Sequence, residues 1–175
     1  PAPFTADDVI YYEPLGRYNS FWHHTKFSSP SIDSFLAGAN SSLQASSEAF
    51  GNADVCLVTL GTAWVFRHIA SGRVVANCNK IPAREVTRER LSADESYSLL
   101  ADIVSSNPGK EWIFTVSPIR HLADGAYGNS LSKATLLLAA EKLTKEFRNV
   151  YYFPAFEIMM DELRDYRFYA EDLTH

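Results

Sequence analysis

Along this chain, short runs of almost unbroken apolar residues alternate with longer segments whose apolar positions recur every three or four residues. Asp54–Leu60 reads D-V-C-L-V-T-L and ends at Gly61, the pattern of a parallel strand covered on both faces. Trp112–Val116 repeats it and is ended by Ser117-Pro118, and Val150–Phe153 repeats it again and stops at Pro154. Between the first two runs, Ser92-Ala-Asp-Glu95 has the spacing of a capping box, which opens a helix to about Ser105 closed by Asn107-Pro108-Gly109. Leu136, Ala140, Leu143 and Phe147 fall on one face of a helix spanning Ser130–Phe147. Phe35, Leu36, Ala39 and Leu43 do the same for Ile32–Phe50, which leads into the first strand. Phe66–Ala76, with Ser71-Gly72 at its middle, reads as a β-hairpin.

Strand, helix, strand, helix, strand predicts an α/β fold, a three-layer α/β/α sandwich with a mainly parallel sheet and right-handed crossovers. The 175 residues, 46% of them hydrophobic, suit one domain with a substantial core. Sixteen basic residues against twenty-one acidic ones give a net charge of −5, and no Lys/Arg run tracks a phosphate backbone, so nucleic acid is not an expected partner. No stretch approaches the roughly 18 apolar residues of a membrane span, and a cytoplasmic protein is expected. Two cysteines, Cys56 in an apolar run and Cys78 in a polar loop, are too few for a disulfide framework. His23-His24 are adjacent and point different ways, with no further ligand at helical spacing, so no metal site is expected. The aromatic segment around them, Tyr18–Phe27, reads as core or as a pocket wall. No cofactor is implied.

Open parallel sheets place their ligand sites beyond the carboxyl ends of the strands. Gly61-Thr62 follows the first strand, Ser117–His121 the second, and Asp172-Leu-Thr-His175 comes after the third and its helix, so all three segments are expected at one edge. An aspartate three residues before a histidine can hold one ring nitrogen and fix the tautomer, leaving the other nitrogen to take a proton from a serine hydroxyl. Ser117 and His121 are a second pair, read chiefly as a turn residue and a pocket-lining residue, with a nucleophilic Ser117 as the lesser alternative. Arg164, Asp165, Tyr166 and Arg167 precede the dyad; there an arginine could hold the Asp172 loop or an anionic group, or the cluster is a solvated face.

Several segments, in order, resemble the GSCFA-domain family, a branch of the SGNH/GDSL-like hydrolases. They are Thr59-Leu-Gly-Thr-Ala-Trp-Val-Phe66, Gly72–Pro82, Thr115-Val-Ser-Pro-Ile-Arg-His121, Asn129-Ser-Leu-Ser-Lys133 and Tyr152–Ile158 running into Asp161–Asp172. The resemblance implies an SGNH-hydrolase-like, flavodoxin-like sheet and ester hydrolysis, with removal of a small acyl group such as acetyl from a carbohydrate or similar alcohol as the expected form. His175 would be general base, Asp172 its orienter, and Gly61 and Thr62 oxyanion or substrate contacts. The family's Gly-Ser-Cys-Phe-Ala segment, with its nucleophilic serine, does not occur here, and the chain is read as an interior fragment whose serine lies upstream. The SGNH Gly-x-Asn step is Gly61-Thr62-Ala63 here, which leaves Asn77, Asn79 or the Thr62 hydroxyl to replace the amide. A non-catalytic glycan- or protein-binding domain and an acyltransferase are the competing classes, and oligomeric state is left open.

Overall fold

The computed structural model describes residues 1–78 and 81–175. It forms two compact units, Pro1–Ala53 with Val65–Glu89, and Asp54–Trp64 with Arg90–His175.

In the first unit, β1 (Ile10–Tyr12) and β2 (Arg17–Asn19) form an antiparallel hairpin. Helix α1 (Ile32–Asn52) buries Phe35 and Ala39, the centre of the predicted stripe, whereas Leu36 and Leu43 are half-buried at its margins. Asn40 on this helix accepts from the Phe4 backbone N–H (2.7 Å) and donates to the Phe4 carbonyl (3.0 Å), which fastens the preceding segment to it.

The central sheet belongs to the second unit and begins with β3 (Val55–Leu60). The residues after it return to the first unit, where strands β4 (Trp64–His68) and β5 (Val74–Val75) make the expected hairpin, with Phe66 opposite Val75 and Gly72 at φ 66°, and β6 (Val86–Arg90) flanks β4 on its other side. Within this small sheet Arg67 Nε donates to Glu89 Oε1 at 2.9 Å. Strand β6, V-T-R-E-R, was not expected, because its charged residues mask the two-residue alternation of a strand.

Helix α2 (Ala93–Ser105) starts at the predicted capping box: the Glu95 N–H donates to Ser92 Oγ (3.2 Å) and the Ser92 N–H to Glu95 Oε2 (2.8 Å). Strand β7 (Glu111–Val116), helix α3 (Gly125–Glu146) and strand β8 (Val150–Tyr152) complete the unit. The three long apolar runs form one parallel sheet in the order β3-β7-β8. On one face, Trp112, Phe114 and Val150 pack with Ala101 and Val104 of α2 and Leu143 of α3, and Cys56, Val58 and Leu60 of β3 join them. The fold class is therefore α/β with a parallel three-stranded sheet.

Helix α3 begins five residues before the expected start. Ser130, the expected first residue, lies inside the helix, where its hydroxyl donates to the Ala126 carbonyl one turn back (2.9 Å). The actual start follows a short turn, Leu122–Asp124, and Gly125 at φ 68°, a left-handed backbone that glycine adopts without strain. After β8, Ala155–Glu157 forms one helical turn that widens into a π-helical turn at Ile158–Leu163, stopped by Arg164 at φ 49°.

Candidate functional site

The chemistry-bearing residues of the second unit gather beyond the carboxyl ends of β3 and β7. Ser117, just past β7, is buried; its backbone N–H donates to the Leu60 carbonyl (2.9 Å) and its hydroxyl accepts from the Ile119 N–H (3.2 Å), so it shapes the turn. The His121 backbone N–H donates to Asn129 Oδ1 (3.0 Å). Its ring faces the first strand's end: Nε2 lies 3.8 Å from where a Cβ on Gly61 would sit, and is buried with no hydrogen-bond partner. Ser117 and His121 are therefore not joined as a nucleophile and base; the first is a turn residue and the second lines the space above Gly61.

Helix α3 holds the Gly61–Ala63 turn with two side chains. Lys133 Nζ donates to the Gly61 carbonyl (2.6 Å), and Ser132 Oγ accepts from the Ala63 N–H (2.7 Å) while lying 3.1 Å from Thr62 Oγ1. Thr62 Oγ1 in turn accepts from the Trp64 N–H (3.1 Å). Asn129, Ser132 and Lys133 stand at helical spacings of three and four, so one face of α3 grips both the loop after β3 and the loop after β7. The Asn129–Lys133 segment carries part of the family resemblance, but its sequence alone does not reveal this role. Lys133 is 1% exposed, its hydrogen-bond partner is a neutral carbonyl, and burial pulls its pKa from 10.5 down to about 8.

The dyad is formed. His175 Nδ1 is hydrogen-bonded to Asp172 Oδ2, and Asp172 Oδ1 accepts from the backbone N–H groups of Thr174 (2.8 Å) and His175 (3.0 Å). Leu173, at φ 54°, makes the tight turn that brings ring and carboxylate together. The His175 N–H, then its ring, then the Thr174 N–H hold the Asp172 carboxyl well below the usual carboxylate range. With Nδ1 taken, Nε2 is the ring nitrogen left for a substrate or nucleophile, on a side chain that is 66% exposed.

Arg120 joins the dyad loop to the end of β7: its backbone N–H donates to the Thr174 carbonyl (3.1 Å), and its guanidinium lies 3.5 Å from the Leu173 carbonyl and over the Tyr166 ring. The dyad loop is thus anchored by Arg120, and Arg167, in the cluster for which a solvated face is the alternative to holding that loop, pairs with Asp165 (2.6 Å). Two cavities flank Arg120. One, about 270 Å³, has Tyr166, Tyr169 and Arg164 in its wall; the other, about 340 Å³, lies along α3.

Asn77 lies in the first unit, where its backbone N–H donates to the Phe21 carbonyl (2.9 Å); Asn79 is outside the described residues. Burial raises the Cys78 thiol pKa, which opposes thiolate character, and Cys56 is a sheet residue packed against the core. His23 is a packed ring, bonded to Ser20 Oγ (2.8 Å) and edge-on to Phe4, Phe27 and Phe35, and burial lowers its pKa. No group of three or more potential metal ligands occurs among the described residues.

These features define an α/β protein with an aspartate–histidine pair beside the carboxyl edge of a parallel sheet. The chain belongs to the GSCFA family, which it matches over residues 1–175. Comparison with curated proteins and with solved structures returns no match. No described helix is long and apolar enough to cross a membrane.

Proposed function

We propose that this chain carries the acid–base edge of an SGNH-like ester hydrolase with a three-layer sandwich fold, acting on acyl esters of a carbohydrate or similar alcohol. The observation that carries the reading is the bond from Asp172 to His175 Nδ1, on a loop tied by Arg120 to the strand end next to Gly61. His175 Nε2 takes the proton of a serine hydroxyl as that oxygen attacks the ester carbonyl, and returns it to the leaving alcohol; Asp172 stabilises the imidazolium in between. Water then repeats the attack on the acyl-enzyme, with His175 again as base. In this reading the backbone N–H groups of Gly61 and Thr62 donate to the developing oxyanion, on a turn held by Lys133 and by Ser132, which takes the Ala63 N–H. The nucleophile in this reading is the serine of the family's Gly-Ser-Cys-Phe-Ala segment, which these residues do not supply. Tyr166 and Tyr169 give the cavity beside Arg120 flat aromatic faces of the kind sugar rings stack on.

Treatment of the natural full-length protein with a serine-directed fluorophosphonate, read by intact mass and peptide mapping, tests this. One adduct that disappears in His175→Ala supports the hydrolase and locates its serine. No adduct leaves a binding domain on a hydrolase scaffold, and an adduct on Ser117 moves the nucleophile to the β7 turn.

A further inference from the structure

We propose that the cavity along α3 binds the chain of a medium-length monocarboxylic acid, carboxyl end toward Arg120, and so selects acyl groups of about four to eight carbons over acetyl. This rests on the ester-hydrolase reading for the statement about acyl groups; binding of the free carboxylate stands apart from it. At about 340 Å³ the cavity falls at the lower end of the roughly 300–1,000 Å³ spanned by small-molecule sites, and a two-carbon group would leave most of it unfilled.

Its wall is apolar over most of its extent, formed by Leu122, Ala134, Leu137, Phe156 and Met160. Its charged lining residues are Arg120 and Lys133, both cationic, with no carboxylate beside them. Neither forms an ion pair among the described residues: Lys133 gives its ammonium to a carbonyl, and Arg120 holds a carbonyl and an aromatic face. Lys133 is a buried cation without a counter-charge, which is costly, and an anion entering the cavity offsets that cost, while the half-exposed Arg120 is open to a carboxylate. Asn129 and Ser130 add two neutral polar side chains to the lining, but the rest of the wall is apolar apart from the two cations, which suits a carboxylate with a hydrocarbon tail better than a sugar, whose hydroxyls each need a polar partner. Because Arg120 also holds the dyad loop, a chain lying along α3 would direct its carboxyl carbon toward that loop.

Calorimetric titration of the full-length protein with acetate, butyrate, octanoate and octan-1-ol tests the proposal without any turnover. Affinity is expected to rise from butyrate to octanoate by roughly fourfold per methylene, the equivalent of about 0.8 kcal/mol each. Arg120→Gln is expected to weaken octanoate at least tenfold and octanol hardly at all. Ala134→Trp, which fills the cavity from an exposed helix position, is expected to abolish both, with an unchanged urea midpoint showing that the fold is kept. Octanoate binding no tighter than acetate, or unaffected by Ala134→Trp, overturns the proposal. A fluorophosphonate adduct without chain-length dependence would keep the hydrolase and remove this acyl site; octanoate binding without an adduct would keep the site and remove the hydrolase.

Discussion

Asp172 accepts three hydrogen bonds from the two residues beyond Leu173, so its ionised form is favoured by the turn itself as well as by the imidazole. A carboxylate whose pKa is lowered on folding contributes an interaction that is complete above its unfolded pKa and is lost as pH falls through the folded value. The dyad bond is therefore expected to persist in acid beyond the point where ordinary carboxylates protonate. Carbon-detected titration of the Asp172 carboxyl is expected to show it, and a midpoint near that of a free aspartate would contradict the geometry. Asp172→Asn keeps the shape but leaves an amide facing Nδ1, and ester turnover is expected to fall by roughly 10³- to 10⁴-fold with KM little changed. Lys133 has the opposite linkage. Its pKa falls from 10.5 to about 8 on burial, so between those values the unfolded chain holds a proton that the native state has released, and stability rises with pH. Below pH 8 the native state carries a penalty of about 3 kcal/mol for the buried charge. Lys133→Met removes that dependence. The stability difference, wild type minus variant, is expected to shift in favour of wild type by about 3 kcal/mol from pH 7.5 to 10.5 in urea unfolding, and a flat difference would mean the ammonium is not sequestered.

At the scale of elements, α3 is both the cover of the sheet and the bracket of the site. Ser132 satisfies the Ala63 N–H inside the protein, and Ser132→Ala leaves that donor without its partner, at an expected cost of about 1–3 kcal/mol in urea unfolding. Ser130→Ala, two residues away and bonded only within its own helix, is expected to change stability by less than about 0.5 kcal/mol. Equal effects would mean that the bracket carries no strain-free advantage for the turn. The strands of this unit could be read from the sequence because a parallel strand packed into a core is apolar along its length, and α2 because its cap is a local hydrogen-bond pattern. The polar bracket was harder to see. Lys133 lies three residues before Leu136 and seven before Ala140, on the same stripe, yet a lysine is ordinarily assigned to solvent, and only the Gly61 carbonyl across the sheet edge explains its position. The dyad was visible because both members sit in one turn; the part played by Arg120 was not, because it depends on two loops meeting, 53 residues apart in sequence. The β1–β2 hairpin and β6 were missed because strands of three to five residues with mixed polarity give too short a pattern to count.

Within the second unit, the helices cover one face of the parallel sheet. Registered side chains of parallel strands alternate together, so the residues between those of the core point the other way. On that second face Val55 is 53% exposed, Leu57 66% and Tyr151 52%, although parallel sheets are ordinarily covered on both sides. Contiguous apolar surface of this kind binds amphiphilic dyes in the native state, without any loosening of the core. The 175-residue chain is accordingly expected to raise the fluorescence of anilinonaphthalene sulfonate at neutral pH while showing a cooperative unfolding transition. The cavity along α3 binds anions with apolar bodies too, so the two contributions must be separated. Leu57→Lys with Tyr151→Lys is expected to remove the share due to the sheet face, whereas excess octanoate removes the share due to the cavity. If the double lysine variant gives the same signal as wild type with octanoate present, Leu57 and Tyr151 do not form a dye-accessible surface and the second face is covered in solution.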